Sequence, residues 1–346
     1  MKNSSVPVPI AITMGDPKGV GPEVVVRALA SKVVARRVLP IVVGSVRTLE
    51  RAAGLIGVKL EFLQLDADGG PLDALLARGA GRESRRIAVV TPAGMPRGLG
   101  GRARGQAAFA CVKEAVRLCA AGRVRGIVTA PISKATLDAA DLRFTGHTEM
   151  LRSLCGSRRT VMMFACDELR ISLATTHTPV GRLARELSRV GLEEVMTMTK
   201  KAVTTLFGTA HPRLAVLALN PHAGEGGLLG VEEESVIRPA MRSARKKGAV
   251  LEGPFPADSF FSRGKWKDFD ATVAMYHDQA LIPAKLLAGD RVVNLTLGLP
   301  FVRTSPGHGT AEDLAWQGRA RAEGMVSAIL LAADLSKKVG LPLRWD

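Results

Sequence analysis

Three of the six histidines in this 346-residue sequence follow directly on short apolar runs. They are His177 after ISLATT, His222 after LAVLALNP and His277 after ATVAMY. If each run is a strand of a parallel sheet, the three imidazoles come out where ligands bind in α/β proteins, at the carboxyl ends of strands. Three neutral imidazoles with open positions beside them are typical of a catalytic divalent-metal site. Any one of them alone would be an ordinary polar residue that opens a loop, so the metal prediction requires that the fold bring all three together.

Carboxylates accompany two of these histidines in the sequence. Asp278 follows His277 directly, and Glu225 comes three residues after His222. A carboxylate next to a metal-bound imidazole can fix the orientation of the ring or carry a proton. For Glu225 a second interpretation is equally open, because an acidic residue ahead of a helix also stabilises the helix dipole.

A second group of polar residues is suited to binding an anion. Lys285, Asn294 and Arg303 follow the third histidine within one predicted helix and strand, and together they would clamp a phosphate or a carboxylate. Taken alone, Lys285 is more often part of a solvated helix face. In the segment TGHTE, His147 and Thr148 open a predicted helix whose N-terminus favours an anion, although helix capping alone would explain Thr148.

Short apolar runs that alternate with longer helical patterns place these residues in an α/β protein with largely parallel strands. The predicted strands are 9–14, 40–43, 86–90, 126–129, 169–175, 214–219, 271–275 and 292–297. The predicted helices are 106–120, 192–206, 232–246 and 318–334. The glycine- and arginine-rich residues 94–105 are interpreted as a surface loop.

A chain of this length exceeds what one hydrophobic core usually serves, so two α/β/α lobes around a cleft are expected. We predict a first lobe of residues 1–125 with 305–346, and a second lobe of residues 126–304 that carries the metal and substrate residues. Residues 10–23 (IAITMGDPKGVGPE) indicate a strand, a glycine turn and a helix, but they match neither the dinucleotide fingerprint nor the phosphate-binding loop. No nucleotide cradle is therefore predicted there.

Composition and charge exclude several classes of protein. The apolar runs are far shorter than the roughly 18 residues that span a bilayer, and the first residues lack a secretory leader pattern, so we expect a cytoplasmic protein with no membrane association. The net charge of +16 comes from scattered arginines with one Tyr and three Trp, which favours a basic surface over nucleic-acid binding. The four cysteines lie in apolar surroundings and are interpreted as reduced core thiols.

Taken together, these segments closely resemble the 4-hydroxythreonine-4-phosphate dehydrogenase (PdxA) family. The resemblance runs along nearly the whole chain, through the motifs MGDPKGVGPE, TAPISKATL, TGHTEML, ATTH, NPHAGEGG, GPFPADSFF, YHDQ and NLTLGLPFVRTSPGHGT in that order. It implies a fold like that of isocitrate and isopropylmalate dehydrogenases, and a homodimer whose active sites lie at the subunit interface. It also implies one divalent cation (Zn, Mg, Co or Mn) and NAD or NADP bound without a glycine-rich fingerprint.

The same resemblance implies roles for the residues singled out above. The metal ligands would be His177, His222 and His277. The substrate-binding residues would be His147, Thr148, Lys285, Asn294 and Arg303. Asp258, in the segment PADSFF, would lie near the substrate, which leaves Asp258, Asp278 and Lys285 as candidates for proton transfer. The implied reaction oxidises the secondary hydroxyl of a small anionic hydroxy acid, foremost 4-phosphohydroxy-L-threonine, with decarboxylation in the synthesis of pyridoxal phosphate.

Three departures from the family pattern leave the substrate open. Gly307 stands where an acidic residue is usual, Trp316 where a glycine is usual, and Lys18 where alanine is common. Relatives of this architecture act on D-threonate or D-erythronate 4-phosphate, and others on the cis-1,2-dihydrodiol of terephthalate, so a catabolic paralogue is the alternative. A protein that keeps the fold and binds a ligand or nucleic acid without catalysis is the alternative of another class.

Overall fold

The computed structural model describes residues 6–68, 70–78, 86–98, 100–167 and 169–345. In chain order its strands are β1 (Val8–Thr13), β2 (Val38–Val43), β3 (Glu61–Leu65), β4 (Arg86–Val90), β5 (Gly126–Thr129), β6 (Val161–Ala165), β7 (Arg170–Leu173), β8 (Arg213–Leu217), β9 (Val250–Phe255), β10 (Ala271–Ala274), β11 (Val293–Leu297) and β12 (Val302–Pro306). Its helices are α1 (Gly21–Leu29), α2 (Lys32–Arg37), α3 (Val46–Ile56), α4 (Gly70–Arg78), α5 (Gly101–Ala120), α6 (Lys134–Ala139), α7 (His147–Leu154), α8 (Leu183–Glu186), α9 (Arg189–Ala202), α10 (Arg238–Lys246), α11 (Ala257–Ser262), α12 (His277–Ala288) and α13 (Glu323–Lys338).

The chain divides into two compact units. Unit 1 comprises residues 1–158 and 299–344, and unit 2 comprises residues 159–298 and 345–346. The α/β class predicted from the sequence is confirmed in both units. Residues 126–158 and 299–304, which the sequence pattern assigns to the second lobe, belong to unit 1. The reason is strand pairing, because β5 pairs with both β1 and β12 in that unit.

Unit 1 is built on parallel strands in the order β3-β4-β2-β1-β5-β12. Every residue of β5 and nearly every residue of β1 is buried, as is usual for central strands covered by helices. Helix α13 packs against β1, β5 and β12, where Thr304 Oγ1 donates a hydrogen bond to the carbonyl of Ala328 at 2.8 Å. Since side chains alternate along a strand, Arg303 and Ser305 point to the face opposite α13.

Unit 2 has the strand order β11-β6-β7-β10-β8-β9. Strands β7, β10, β8 and β9 run parallel, whereas β6 is antiparallel to both of its neighbours. One cluster of its core includes the buried side chains of Phe164, Phe260, Trp266 and Leu281. Because β7, β10 and β8 are adjacent and parallel, their carboxyl ends lie side by side, and the segments that follow them leave the sheet there.

Several elements differ from the sequence prediction. Strands β3 (EFLQL) and β9 (VLEGPF) were not predicted, because they lie at sheet edges where charged residues, Gly and Pro are tolerated. Strands β6 and β12 were also missed, and β12 (VRTSP) carries a polar pattern that is typical of a loop. Residues 94–105 are only partly a loop, since α5 begins at Gly101. Among the described residues, no helix combines the length and apolar character needed to cross a bilayer.

Candidate functional site

A buried arginine marks the part of the candidate site that lies in unit 1. Arg303, on β12, has 1% of its surface exposed, and its Nη2 donates a hydrogen bond to Thr129 Oγ1 at 2.5 Å. Thr129 ends β5 and pairs in register with Thr13 at the end of β1, so both hydroxyls lie on the same face of the sheet as Arg303. Thr13 Oγ1 is buried and has no hydrogen-bond partner in the described residues. Neither threonine was predicted from the sequence as a site residue, although each stands at the carboxyl end of an apolar strand.

His147 is the first residue of α7 and lies close to the charge of Arg303. Its Nε2 is buried and has no hydrogen-bond partner in the described part of the chain. Burial, followed by the positive charge of Arg303, holds the pKa of His147 well below its ordinary value, so the imidazole is neutral at pH 7. Burial also lowers the pKa of Arg303 to about 9 against the attraction of Glu149, which leaves the guanidinium charged at pH 7.

This arrangement is chemically suited to an anion. A buried polar group without a partner costs about 1–3 kcal/mol, and a ligand that supplies the missing hydrogen bond offsets that cost. His147 and the half-buried Thr148 form the first turn of α7, where backbone N–H groups favour negative charge. Unit 1 therefore contains a cationic side chain, hydroxyl groups and a helix N-terminus. Three of the predicted substrate residues, His147, Thr148 and Arg303, belong to this group.

The neutral state of His147 predicts a loss of stability in mild acid. In the unfolded chain a histidine binds a proton below about pH 6.5, whereas the folded chain resists protonation of His147. The unfolded state thus binds more protons between pH 6.5 and the depressed folded-state pKa. As the pH is lowered through this range, we expect the free energy of unfolding to fall by up to about 1.4 kcal/mol per pH unit.

Urea unfolding followed at pH 5.5 and pH 7.5 measures this effect. His147→Gln should remove this part of the pH dependence, whereas His211→Gln, at an exposed histidine, should retain it. Equal pH slopes in the His147→Gln variant and the wild type would contradict the assignment.

Two of the predicted metal ligands come together in unit 2. His177 follows β7 and His277 follows β10, and the centres of their rings are 6.2 Å apart with the planes tilted by 43°. His277 Nδ1 lies 2.7 Å from Asp278 Oδ1. A carboxylate at Nδ1 fixes the tautomer and turns Nε2 into the atom that can bind a cation. Asp278 therefore contacts the ring of His277, and its role in orienting a metal ligand stays a prediction.

The start of α12 is fixed by the buried side-chain amide of Gln279, which was not among the predicted site residues. Gln279 Oε1 accepts a hydrogen bond from the backbone N–H of Met275, and Gln279 Nε2 donates to the carbonyl of Ala218, both at 2.7 Å. Met275 follows β10 and Ala218 follows β8, so the side chain joins two strand ends. This contact holds the turn that carries His277 against the end of the neighbouring strand.

His222 follows β8 in an unusual backbone conformation. The side chain is exposed, and the residue has φ 50° and ψ 27°, in the left-handed region. In the part of the chain that the structure describes, no group of three or more His, Cys, Asp or Glu side chains is placed so that it could hold a metal ion. The structure therefore brings His177 and His277 together within unit 2 and leaves His222 outside that pair.

The other predicted residues of unit 2 take separate positions. Asp258 and Asp278, both exposed, line one hollow of about 470 Å³, together with apolar side chains that include Phe261, Trp266, Ile282 and Leu286. Lys285 is exposed on α12, two turns after His277. Asn294 lies on β11 and is half-buried, with its Oδ1 buried and without a partner in the described residues. The two carboxylates proposed for proton transfer thus share one surface.

Two of the three departures from the family pattern meet in unit 1. Trp316 Nε1 donates to the carbonyl of Pro17 at 3.1 Å, beside the exposed Lys18. Trp316 has φ 61°, a conformation that favours glycine, and its indole makes contacts that glycine would lack. The guanidinium of Arg51 lies 4.3 Å from its ring centre, and buried Glu23 accepts a hydrogen bond from its backbone N–H. The tryptophan therefore ties its own loop to the start of α1.

Comparison with known proteins gives consistent matches over nearly the full length. The family model described as pyridoxal phosphate biosynthetic protein PdxA matches residues 36–332. The 4-hydroxythreonine-4-phosphate dehydrogenase of Geobacter metallireducens is 42% identical over 331 residues, which cover 96% of each chain. The D-threonate 4-phosphate dehydrogenase of Salmonella typhimurium is 40% identical over 335 residues, which cover 94% of this chain and 98% of that protein. The crystal structure of 4-hydroxythreonine-4-phosphate dehydrogenase from Klebsiella pneumoniae matches with a TM-score of 0.83 at 36% identity, covering 96% of this chain and all (100%) of that one.

Proposed function

Because the chain belongs to the PdxA family of pyridoxal phosphate biosynthetic proteins, and is therefore a dehydrogenase, we propose that it oxidises 4-phosphohydroxy-L-threonine. The reaction would use NAD or NADP and a divalent cation, would act on the secondary hydroxyl, and would lead to loss of carbon dioxide. The observation that carries the proposal is the buried anion-binding group around Arg303 and His147. A buried cation with unsatisfied neighbours is what a phosphorylated or carboxylated substrate requires.

The phosphate or carboxylate of the substrate would bind at this group. Arg303 supplies a charge that burial keeps out of water, which strengthens its attraction for an anion. The hydroxyls of Thr13 and Thr129 and Nε2 of His147 offer additional polar contacts on the same face of unit 1. We propose that Lys285 and Asn294 bind the substrate as well. The buried Oδ1 of Asn294, which has no partner in the described residues, supports this role.

Two imidazoles of unit 2, those of His177 and His277, have the chemistry of ligands for a divalent cation. Their rings are neighbours, and one of them contacts Asp278. Of the four candidate ions, Zn has the strongest preference for nitrogen ligands, followed by Co, Mn and Mg. We propose His222 as the third ligand. When bound, the coenzyme supplies a hydride acceptor and the cation supplies positive charge for the developing alkoxide. Asp278 orients His277, so Asp258 and Lys285 are the better candidates to move the proton of the hydroxyl.

A homodimer is part of the proposal, with the active site at the subunit interface. Helix α12 leaves Ile282, Leu286 and Leu287 exposed by 60%, 82% and 45%, next to the apolar hollow that contains Asp258. Apolar side chains grouped in this way are typical of an interface. The same helix begins with His277 and carries Lys285, so a partner bound there would approach the metal and substrate residues. Sedimentation at equilibrium should give twice the monomer mass, and a monomer with full activity would contradict the interface site.

A catabolic paralogue is the second candidate within the family. One of the relatives is a D-threonate 4-phosphate dehydrogenase, at an identity close to that of the biosynthetic relatives. D-erythronate 4-phosphate and the cis-1,2-dihydrodiol of terephthalate also pair a hydroxyl with an anionic group. The departures at Lys18, Gly307 and Trp316 support this candidate, because Trp316 makes contacts that glycine could not make. A non-catalytic ligand- or nucleic-acid-binding protein is the alternative of another class.

Reduction of NAD and NADP by the purified protein tests these proposals. The panel consists of 4-phosphohydroxy-L-threonine, D-threonate and D-erythronate 4-phosphates and terephthalate cis-1,2-dihydrodiol, each with added Zn, Mg, Co or Mn. Metal-stimulated turnover of the first compound is the expected result. Turnover of only another compound would establish the catabolic alternative, and no turnover of any compound together with ligand binding would favour the non-catalytic one.

A further inference from the structure

The loop that carries His222 runs through an unbroken left-handed stretch. Residues 222–227 all have positive φ, at 50°, 55°, 79°, 44°, 69° and 103°. Three of them, His222, Ala223 and Glu225, are not glycine, and each such residue costs about 1–2 kcal/mol in this conformation. A conformation that costs several kcal/mol persists only where surrounding contacts fix it.

A single buried carboxylate makes these contacts at the entrance to the loop. Glu233 is 1% exposed, and its Oε1 accepts hydrogen bonds from the backbone N–H groups of Leu219 and Asn220, both at 2.8 Å. Its Oε2 accepts from Asn220 Nδ2 at 2.9 Å, and Glu232 accepts from the same amide at 2.7 Å. Glu233 thus binds three donors of the two residues that lead into Pro221 and His222.

Two glycines of the loop, Gly224 and Gly230, pack closely against the side chains of Glu233 and Asn220. A Cβ on Gly224 would lie 2.7 Å from Glu233 Oε2 and 2.9 Å from the carbonyl of Gly230. A Cβ on Gly230 would collide with the side-chain amide of Asn220. The left-handed turn therefore lies directly on the Glu233 carboxylate, with no room between them for a methyl group.

From these contacts we infer that Glu233 is a positioning residue for His222. It acts through its hydrogen bond to the backbone of Asn220 and through its close contact with Gly224. These contacts set the direction in which the imidazole of His222 points from the turn. The inference rests on the proposed function, in which His222 binds the cation. Glu233 itself lies in the interior of unit 2 and is not placed on the substrate or the cation.

Substitution of Glu233 by glutamine is the sharpest test, because it changes one oxygen to an NH2 group. The new amide cannot accept all three hydrogen bonds, since its NH2 group would face either the two backbone N–H groups or the Nδ2 of Asn220. We expect the turn to loosen and the affinity for Zn²⁺ or Co²⁺ to fall roughly tenfold, the lower end of the effect of residues that orient a metal ligand. Glu234→Gln is the matched control, because Glu234 is exposed and pairs with Arg238 on the helix surface.

Two measurements on the intact protein separate this role from simple loss of folding. Amide hydrogen exchange of residues 219–227 in the metal-free protein should speed up in Glu233→Gln while exchange in β7 and β10 stays unchanged. Equilibrium dialysis with Zn²⁺ should show the affinity loss in Glu233→Gln, and no additional loss when His222→Ala is already present. Glu233→Ala should show both effects more strongly.

The outcomes distinguish this inference from the proposed function. If His222→Ala binds Zn²⁺ like the wild type, the metal assignment itself fails. If His222→Ala loses the metal but Glu233→Gln keeps wild-type affinity and exchange, only the positioning role is overturned. An equal effect of Glu233→Gln with and without His222 would overturn it as well, because the carboxylate would then act elsewhere.

Discussion

Replacement of Arg303 by methionine is expected to lower kcat/KM for a phosphorylated hydroxy acid by a factor of about 100 to 4000. Loss of one partner from a buried charge pair costs about 3–5 kcal/mol, and each 1.4 kcal/mol is about tenfold in rate. In the variant, the substrate anion would still lose its hydration on binding beside His147. It would no longer gain the attraction of the Arg303 charge that compensates this loss. Steady-state kinetics on whichever compound of the panel is turned over measures the effect.

The same substitution should leave the protein at least as stable as the wild type. Burial lowers the pKa of Arg303, which means that the folded chain disfavours the charged guanidinium. A methionine of similar length removes that cost, so thermal unfolding should occur at an equal or higher temperature. Arg170→Met is the matched control, because Arg170 is a partly buried arginine of unit 2, at the amino-terminal end of β7, and does not belong to the anion-binding group of unit 1. Unchanged kcat/KM in Arg303→Met would contradict the anion-binding role.

Replacement of His222 by alanine is expected to remove bound metal and to lower kcat by at least about 1000-fold. A catalytic cation contributes several kcal/mol to the stabilisation of charge in the transition state. Because His222 is exposed in a surface turn, the protein should keep its fold, and the loss should appear in metal content and turnover together. Elemental analysis of the dialysed protein and turnover with added Zn²⁺ or Mn²⁺ measure the two quantities.

His211 offers a control that lies near the same strand, β8. It is exposed just before β8, whereas His222 follows the other end of that strand. His211→Ala should therefore bind metal and turn over substrate like the wild type. Full activity of a metal-free His222→Ala protein would reject the metal-dependent scheme and leave the dehydrogenase assignment without its proposed Lewis acid.

The substrate question has a structural counterpart in unit 1. Trp316 adopts a left-handed conformation, yet it has a hydrogen bond to Pro17, a cation–π contact with Arg51 and a backbone contact with Glu23. These contacts join the loop of one departure from the family pattern to the segment that contains another, Lys18. The two departures therefore form one local arrangement, which is the reason to include the catabolic substrates in the panel.

The family, the α/β class and the position of histidines after apolar strands can all be predicted from the amino-acid sequence alone. Those features depend on local order along the chain, such as ATVAMY before His277 or TGHTE at the start of α7, and local order is preserved on folding. Family motifs also identified Arg303 as a candidate, although VRTSP gave no sign that the segment is a buried strand. Edge strands β3 and β9 were missed because their polar residues face solvent and break the apolar pattern.

Which groups are buried, and which side chains they contact, could not be predicted from the sequence, because both depend on the packed chain. Arg303 meets Thr129 across 174 positions of sequence, and Gln279 reaches the carbonyl of Ala218 across 61. The neutral state of His147 and the hold of Glu233 on Asn220 likewise arise from burial and from partners that no local pattern specifies. A side chain's charge state and orientation depend on the solvent it loses and the neighbours it gains, and both are properties of the packed chain.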